Sequence, residues 1–373
     1  MLFAFFLVMY TYIIFPLLLF ALAAIKTMVS KDSEKTPNYT EDHFSIAVIC
    51  AMYNEEKVVR EKIENFLRIN YDDITLHIGS DGSTDATNEV LREYSGNAKI
   101  KTYEFPRRGK VYVINDLMTK ADADILVFTD ANSMFESDAI INLIKQFHNP
   151  GIGAVCGRLK LLDQGKITGE GFYWRYETKI KLKESILNCV IGANGAIYAV
   201  RKKLLRPLPV DTINDDFTNS MRVAEQGYGI KYAEDAVAYE NASHDDSVEF
   251  KRHIRDAAGH YRAIVHLYKL LNPFRPKVFF LYVSHRVIRW LVPFLLVALL
   301  VIPPFAMGER SIKILFSGEV LFYIFAMIGW RSKTKMKLFY IPYYFIYINL
   351  ALLIGFFRNI FGVQDVIWDR TER

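Results

Sequence analysis

Cysteine is scarce in this chain, and its three copies, Cys50, Cys156 and Cys189, stand far apart without paired spacing. That scatter excludes a disulfide framework and a cysteine zinc site, and reads as reduced thiols of a cytosolic core. No Gly-x-Gly-x-x-Gly run follows the first strand-like segment, which counts against a dinucleotide-dependent dehydrogenase. Internal repeats and low-complexity tracts are missing. A dominant charge of one sign is missing too: the formal net charge is +5 over 373 residues, which gives no case for a nucleic-acid partner. No lysine or arginine precedes the first apolar run at 1–25, whereas Lys26, Lys31 and Lys35 follow it. A cleavable signal peptide carries its positive charge first. Despite the small residues Ala21, Ala23 and Ala24, the expectation is a retained anchor, with the following domain cytoplasmic by the positive-inside rule.

What the chain does have is apolar surface, at 51% hydrophobic residues. The excess sits at the ends. Stretches of about 20 apolar residues suffice to span a bilayer, and the expected division follows from them. An anchor occupies 1–26, a polar linker 27–43, and a soluble domain 44–246. Amphipathic, interfacial helices fill 247–286, membrane helices 287–357, and a tail 358–373. Within 287–357 the runs 287–305 and 312–330 are good spans. The run 338–357 is long enough but carries Pro342, Asn349 and many tyrosines, so both a crossing and an interfacial position stay open. Lys269, Arg275, Lys277, Arg286 and Arg289 precede the second apolar block, and Arg331, Lys333, Lys335 and Lys337 separate the last two; both clusters belong on the cytoplasmic side. Two sequons, at Asn38 and Asn241, would matter only in a lumen. The expected location is the cell membrane, multi-pass.

Between the apolar ends, strand-like and helical patterns alternate. Segments 45–51, 74–80, 99–105 and 125–129 read as strands; 55–69, 85–94 and 110–119 read as helices. This order predicts an α/β fold with a doubly wound, mostly parallel sheet and ligands at the carboxyl ends of its strands. Several groups of candidate residues fall at those ends. Asn54 follows the first strand and suits a helix cap. Asp81 and Asp85 flank a turn after the second. Arg107, Arg108 and Lys110 stand just before a helix start, where phosphate is well received. Asp130 and Asn132, in Phe128-Thr129-Asp130-Ala131-Asn132, offer two oxygens from one turn, as Mg²⁺ or Mn²⁺ chelated by a diphosphate needs; a helix cap would explain them equally. Gly192-Ala193-Asn194-Gly195 forms a small-residue turn before a strand. Asp215 and Asp216 open a helix side by side; mutual repulsion raises the pKa of one, which suits a base for a hydroxyl, while the helix dipole opposes that rise. The ring-rich run Phe172 to Tyr176 suits either sugar stacking or packing against the sheet or membrane.

Taken in order, AMYNEE, GSDGSTD, RRGKVYVIND, FTDAN, GANGAIYAVRK and INDDFTNSMRVAEQGYGIKY resemble glycosyltransferase family 2, and the apolar flanks resemble its membrane-anchored, synthase-like branch. The resemblance runs from about 44 to 270. It implies a GT-A fold, an inverting hexosyl transfer, a nucleotide-sugar donor (usually a UDP-sugar) and a Mg²⁺ or Mn²⁺ cofactor. Tyr53, Glu55 and Asp81 would then hold the nucleoside, Lys110 the base or diphosphate, and Asp130 and Asn132 the metal. Asp216 would be the catalytic base. Asn194, Gly195, Asp215 and Arg255 would lie on the acceptor side, and His244 is a further candidate metal ligand. Two departures matter. Asn132 replaces the family's second metal-side aspartate. In Arg252-His253-Ile254-Arg255-Asp256 only Arg255 matches the Gln-x-x-Arg-Trp sequence of polymerising members. The expected acceptor is a saccharide or a lipid-linked molecule, and the expected partners are membrane lipids and subunits of a synthesis or export complex. The alternative is a non-catalytic subunit that senses nucleotide sugar for a synthase.

Overall fold

Eight strands between 46 and 241 assemble into one sheet because almost every residue of the central strands is apolar and can be covered on both faces. In the computed structural model, residues 1–31, 43–162, 170–241, 246–303, 309–332, 334 and 336–364 are described. The strands are β1 (Ile46–Met52), β2 (Ile74–Asp81), β3 (Ile100–Phe105), β4 (Ile125–Phe128), β5 (Met134–Phe135), β6 (Ile152–Leu162), β7 (Tyr198–Arg201) and β8 (Gly229–Asn241). Their order is β3-β2-β1-β4-β7-β6-β8-β5. The half built from β3, β2, β1 and β4 is parallel. β7 then enters antiparallel to both β4 and β6, while β6 and β8 run parallel, with a register shift between Gly157 and Arg158. The sheet is mixed but mostly parallel, as expected.

Helices are numbered in chain order: α1 (Leu2–Val29), α2 (Val59–Leu67), α3 (Thr87–Glu93), α4 (Lys110–Lys120), α5 (Ala139–Ile144), α6 (Glu170–Ile186), α7 (Asp215–Glu225), α8 (Asp246–His266), α9 (Pro276–Val301), α10 (Arg310–Ser332) and α11 (Lys337–Ile360). Two differences from the sequence reading have clear causes. The helix expected from 55 begins only at Val59, because Asn54 is not its cap. Asn54 adopts a left-handed conformation (φ 55°), its N–H donates to Ser83 Oγ at 3.0 Å and its Oδ1 accepts from Thr84 N–H at 2.8 Å. The second apolar helix begins at Pro276 rather than at 287, since Pro276 at the first helical position presets its backbone dihedral.

Among the described residues four helices, α1, α9, α10 and α11, are long and apolar enough to cross a membrane. They are not detached from the domain. Phe15 and Leu19 of α1 are fully buried in the same core as Ala47, Ile49, Val113 and Tyr198, each worth about 1.5–3 kcal/mol of burial. α1 and α9 each contain one turn of π-helix, Tyr10–Ile14 and Val283–Val287. The two turns meet: Tyr10 Oη lies 2.8 Å from Ser284 Oγ, and the Thr11 hydroxyl donates to the Ser284 carbonyl at 2.9 Å. α11 runs alongside α8, its Gly355 against Ala257 and Ala258. Near the end of α11, Arg262 of α8 donates to Asn359 Oδ1 at 2.8 Å and to the Asp211 carbonyl at 2.9 Å, which ties that end to the soluble domain.

Candidate active site

The carboxyl ends of β1 and β4, the start of α7 and the turn before β7 surround a cleft of about 550 Å³. Of the residues singled out in the sequence, Glu55, Lys110, Asp130, Asn132, Asn194, Gly195, Asp215, Asp216 and Arg255 line it. Tyr53 and Asp81 do not. They sit behind Arg107, whose guanidinium lies 3.4 Å from the centre of the Tyr53 ring and 2.6 Å from Asp81 Oδ2. His244 falls outside the described residues, as do the side chains of Phe172 and Tyr173, whereas Trp174 lines the cleft.

Asp81 explains how the cationic segment is held. It is fully buried, and its carboxylate accepts from the backbone N–H of Arg108 at 2.8 Å and of Gly109 at 2.9 Å as well as from Arg107. Gly109 there has φ 108°, a conformation that favours glycine, and α4 starts at the next residue. Asp81 is therefore the clamp of this turn, which delivers Lys110 into the cleft.

Lys110 is the hub. Its Nζ lies 2.9 Å from Asp130 Oδ1 and 3.1 Å from Asp215 Oδ1. Burial disfavours its charge, but Asp130 and Asp215 outweigh that and raise its pKa, so it stays an ammonium. Asp216, one residue on, is different. Burial and the adjacent Asp215 carboxylate push it up to about 7, against the lowering influence of Lys110 and of the Phe217 N–H that donates to its Oδ1 at 2.7 Å. A carboxyl shifted to near neutrality, beside a second one paired with Lys110, is a group able to take up a proton near pH 7.

The surrounding parts are fixed by groups with no other evident task. Thr129 Oγ1 donates to the Ala196 carbonyl at 2.9 Å and accepts from Lys62 at 2.8 Å; Lys62 also donates to the Ser133 carbonyl, so it braces both ends of the turn bearing Asp130 and Asn132. Burial lowers the Lys62 pKa to about 8, resisted by Cys50, Asp130 and Glu240. Gly195 packs so closely on Asp130 that a Cβ there would stand 2.8 Å from Asp130 Oδ2. The Asn194 amide donates to the Gly157 carbonyl at 3.0 Å, which docks the turn on β6. Asn214, which caps α7, donates to the Asp256 carbonyl at 3.0 Å and contacts His260 Nδ1 at 2.9 Å, so α8 buttresses Asp215 and Asp216. His260 stacks on Trp290 with ring centres 4.7 Å apart, and burial lowers its pKa to about 4, which keeps it neutral.

Ile191, next to the Gly192–Gly195 turn, is gripped by α6 and by the apolar α9. Its N–H donates to Glu184 Oε2 at 3.0 Å and its carbonyl accepts from Arg286 at 3.2 Å. Glu184 in turn holds His285 Nδ1 at 2.6 Å, and Arg289 pairs with Glu177 at 2.5 Å, a buried ionic cluster between α6 and α9. Sequence reasoning did not single out Lys62, Glu184 or His285. Each stands in an ordinary amphipathic or apolar pattern, and only the tertiary fold brings it to the site.

For a divalent cation the pair expected from the sequence, Asp130 and Asn132, both line the cleft. Among the described residues no group of three or more histidine, cysteine or acidic side chains is placed to hold a metal. One carboxylate and one amide fit an ion whose remaining ligands come from a diphosphate and water, the usual state of Mg²⁺ at phosphates.

Residues 47–205 match the glycosyl transferase family 2 profile. The poly-beta-1,6-N-acetyl-D-glucosamine synthase of Staphylococcus epidermidis is 25% identical over 228 residues, 59% of this chain and 55% of that one. The same enzyme of Staphylococcus aureus (strain COL) is 25% identical over 240 residues, 62% of this chain and 58% of that one. The chain thus spans less than two thirds of the length of these relatives. They do not favour the reading of a non-catalytic sensing subunit. Among solved structures, the mannosyltransferase PcManGT from Pyrobaculum calidifontis, in complex with GDP-Man and Mn²⁺, superposes with a TM-score of 0.67 at 20% identity, covering 93% of this chain and 98% of that one. That likeness carries the fold, sheet and apolar helices together. Residues 47–205 thus match glycosyltransferase family 2, within a chain of GT-A fold that has long apolar helices on either side.

Proposed function

We propose that this protein is a membrane-bound, inverting glycosyltransferase that moves a sugar from a nucleotide-sugar donor, with a UDP-sugar as first choice, to an acceptor hydroxyl. The observation that carries the reading is the meeting of Lys110, Asp130, Asp215 and Asp216 in one cleft at the carboxyl edge of the sheet. Asp216 takes the proton of the acceptor hydroxyl. Its oxygen attacks the anomeric carbon from the face opposite the diphosphate, the bond from that carbon to the diphosphate oxygen breaks, and the configuration inverts. Lys110 lies where charge develops on the leaving diphosphate. Asp130 and Asn132 would hold Mg²⁺ or Mn²⁺, and such an ion supplies charge neutralisation of the diphosphate when bound. Glu55 lines the same cleft, and Tyr53 supports Arg107 beside it; these are the nucleoside-side residues of the reading, with Asp81 acting through the backbone it clamps. Asn194, Gly195, Asp215 and Arg255 form the acceptor side. The domain faces the cytoplasm, with the apolar helices in the cell membrane and room for partner subunits of a synthesis or export complex.

The test is donor breakdown by detergent-purified protein across a panel of nucleotide sugars, with Mn²⁺ or EDTA and membrane lipid extract as acceptor, beside Asp216→Asn. Metal-dependent release of nucleoside diphosphate from one donor, lost in the variant while donor binding is kept, is the expected result. An Asp216→Asn variant that transfers at the parent rate would sink the assignment of the base.

A further inference from the structure

The far wall of the cleft is not protein surface of the ordinary kind. Tyr344, Ile348, Ala351 and Leu352 line it. At spacings of four, three and one they make a single stripe along α11, which is one of the helices apolar enough to cross a membrane. The same cleft is lined by Thr212 and Arg255, whose Oγ1 and Nε atoms are buried without a hydrogen-bond partner among the described residues, while the other end of the Arg255 guanidinium donates to Asp256 at 3.3 Å. Buried donors of this kind are nearly always satisfied, so the cleft offers both unused polar bonds and a strip of hydrocarbon.

From this combination we infer that the acceptor is a glycolipid, its sugar head bonded by Thr212 and Arg255 with a hydroxyl at Asp216, and its hydrocarbon chain lying along Ile348, Ala351 and Leu352. The inference rests on the transferase reading above, and it narrows the acceptor from saccharide or lipid-linked molecule to the second. A polysaccharide strand carries hydroxyls along its whole length and would leave them without partners against the aliphatic stripe, which is unfavourable. A lipid phosphate as nucleophile fits less well, because a phosphate oxygen has no proton for Asp216 to remove. In the glycolipid reaction the hydroxyl proton passes to the Asp216 carboxylate, the sugar oxygen bonds to the anomeric carbon, and the diphosphate departs with the electron pair of the broken bond. The acceptor's chain would stay with the membrane-competent helix that carries the stripe.

The experiment uses the full chain in phosphatidylcholine nanodiscs with the radiolabelled donor found above. Acceptors are the free sugars glucose, mannose and N-acetylglucosamine, their hexyl and dodecyl glycosides, and a water-soluble β-1,6-linked N-acetylglucosamine oligomer. The expected result is butanol-extractable product from a dodecyl glycoside, with an acceptor KM at least about tenfold below that of the hexyl glycoside of the same sugar. Ile348→Asp should erase that chain-length preference, and the milder Ile348→Ser should reduce it, while donor titration in the same nanodiscs stays within about twofold of the parent. Equal KM for hexyl and dodecyl glycosides, preference for the soluble oligomer, or no transfer to any glycoside by protein that binds donor would each overturn the glycolipid and leave the transferase reading standing. Donor neither bound nor broken down in any arm would remove both.

Discussion

The pH dependence of turnover tests the base directly. Asp216 is pushed up to about 7, first by burial and then by Asp215. A base works only when ionised, so kcat/KM should rise with pH and level off above about 8. At pH 6, one unit below the midpoint, about a tenth of the enzyme carries the ionised form, and each further unit costs about another factor of ten. An aspartate at its ordinary value of about 3.9 would leave the profile flat from pH 5.5 upward. Asp215→Asn deletes the charged neighbour and should move the midpoint to lower pH, so the ratio of activity at pH 6 to that at pH 8 rises even if the plateau falls. Lys110→Met, which removes the cation that favours the ionised form, should move it the other way. The assay is initial-rate release of nucleoside diphosphate from pH 5.5 to 9 at sub-saturating donor, with buffers overlapped. A profile flat over that range, or a midpoint that rises in Asp215→Asn, would refute the assignment and the electrostatic account behind it.

Two further substitutions separate geometry from stability. Gly195→Ala places a Cβ 2.8 Å from Asp130 Oδ2; displacing that carboxylate should cut kcat/KM by up to about 100-fold with little change in the thermal unfolding midpoint, and parent-like kinetics would show that the turn can yield. Asp81→Asn removes a carboxylate that accepts from Arg107, Arg108 and Gly109. A loss of about 2–3 kcal/mol is expected, read as a lower unfolding temperature and a weaker donor affinity through the loosened Lys110 turn; an unchanged melting curve would contradict the clamp.

Much of the sheet and the carboxylate edge was legible because both follow from short-range pattern. β1, β2 and β4 are apolar runs of strand length; Asp130 stands two residues past β4, and Lys110 and Asp215 open α4 and α7, where an α/β sheet exposes its working groups. Less legible was anything decided by contact across the chain. Asp81 matches a motif position, yet its carboxylate is consumed by the backbone at 108–109, which no spacing reveals. Lys62 is one more charge in the helix that also holds Glu61 and Glu64, and only the fold turns it inward toward Ser133. The acceptor wall was hidden for the opposite reason: a helix that is apolar all round gives no sign of which stripe faces lipid and which faces a cleft. The end of α11 likewise could not be placed from hydropathy, and its tie to Arg262 comes from packing alone.

The grip of α9 on Ile191 has a consequence for how this protein responds to its surroundings. Glu184, His285 and Arg286 form a short linkage from the π-helical turn of α9 to the backbone beside the Gly192–Gly195 turn, and α1 is bolted to that same turn through Ser284. Bilayers of different thickness set different tilts for long apolar helices. With α1 and α9 in a bilayer, as proposed above, a tilt of the two together would bear on Ile191 and through it on the turn that sets Gly195 against Asp130. Rates measured in thin and in thick bilayers would then differ with every cleft residue unchanged, and the composition of the membrane would act on this enzyme as a control variable.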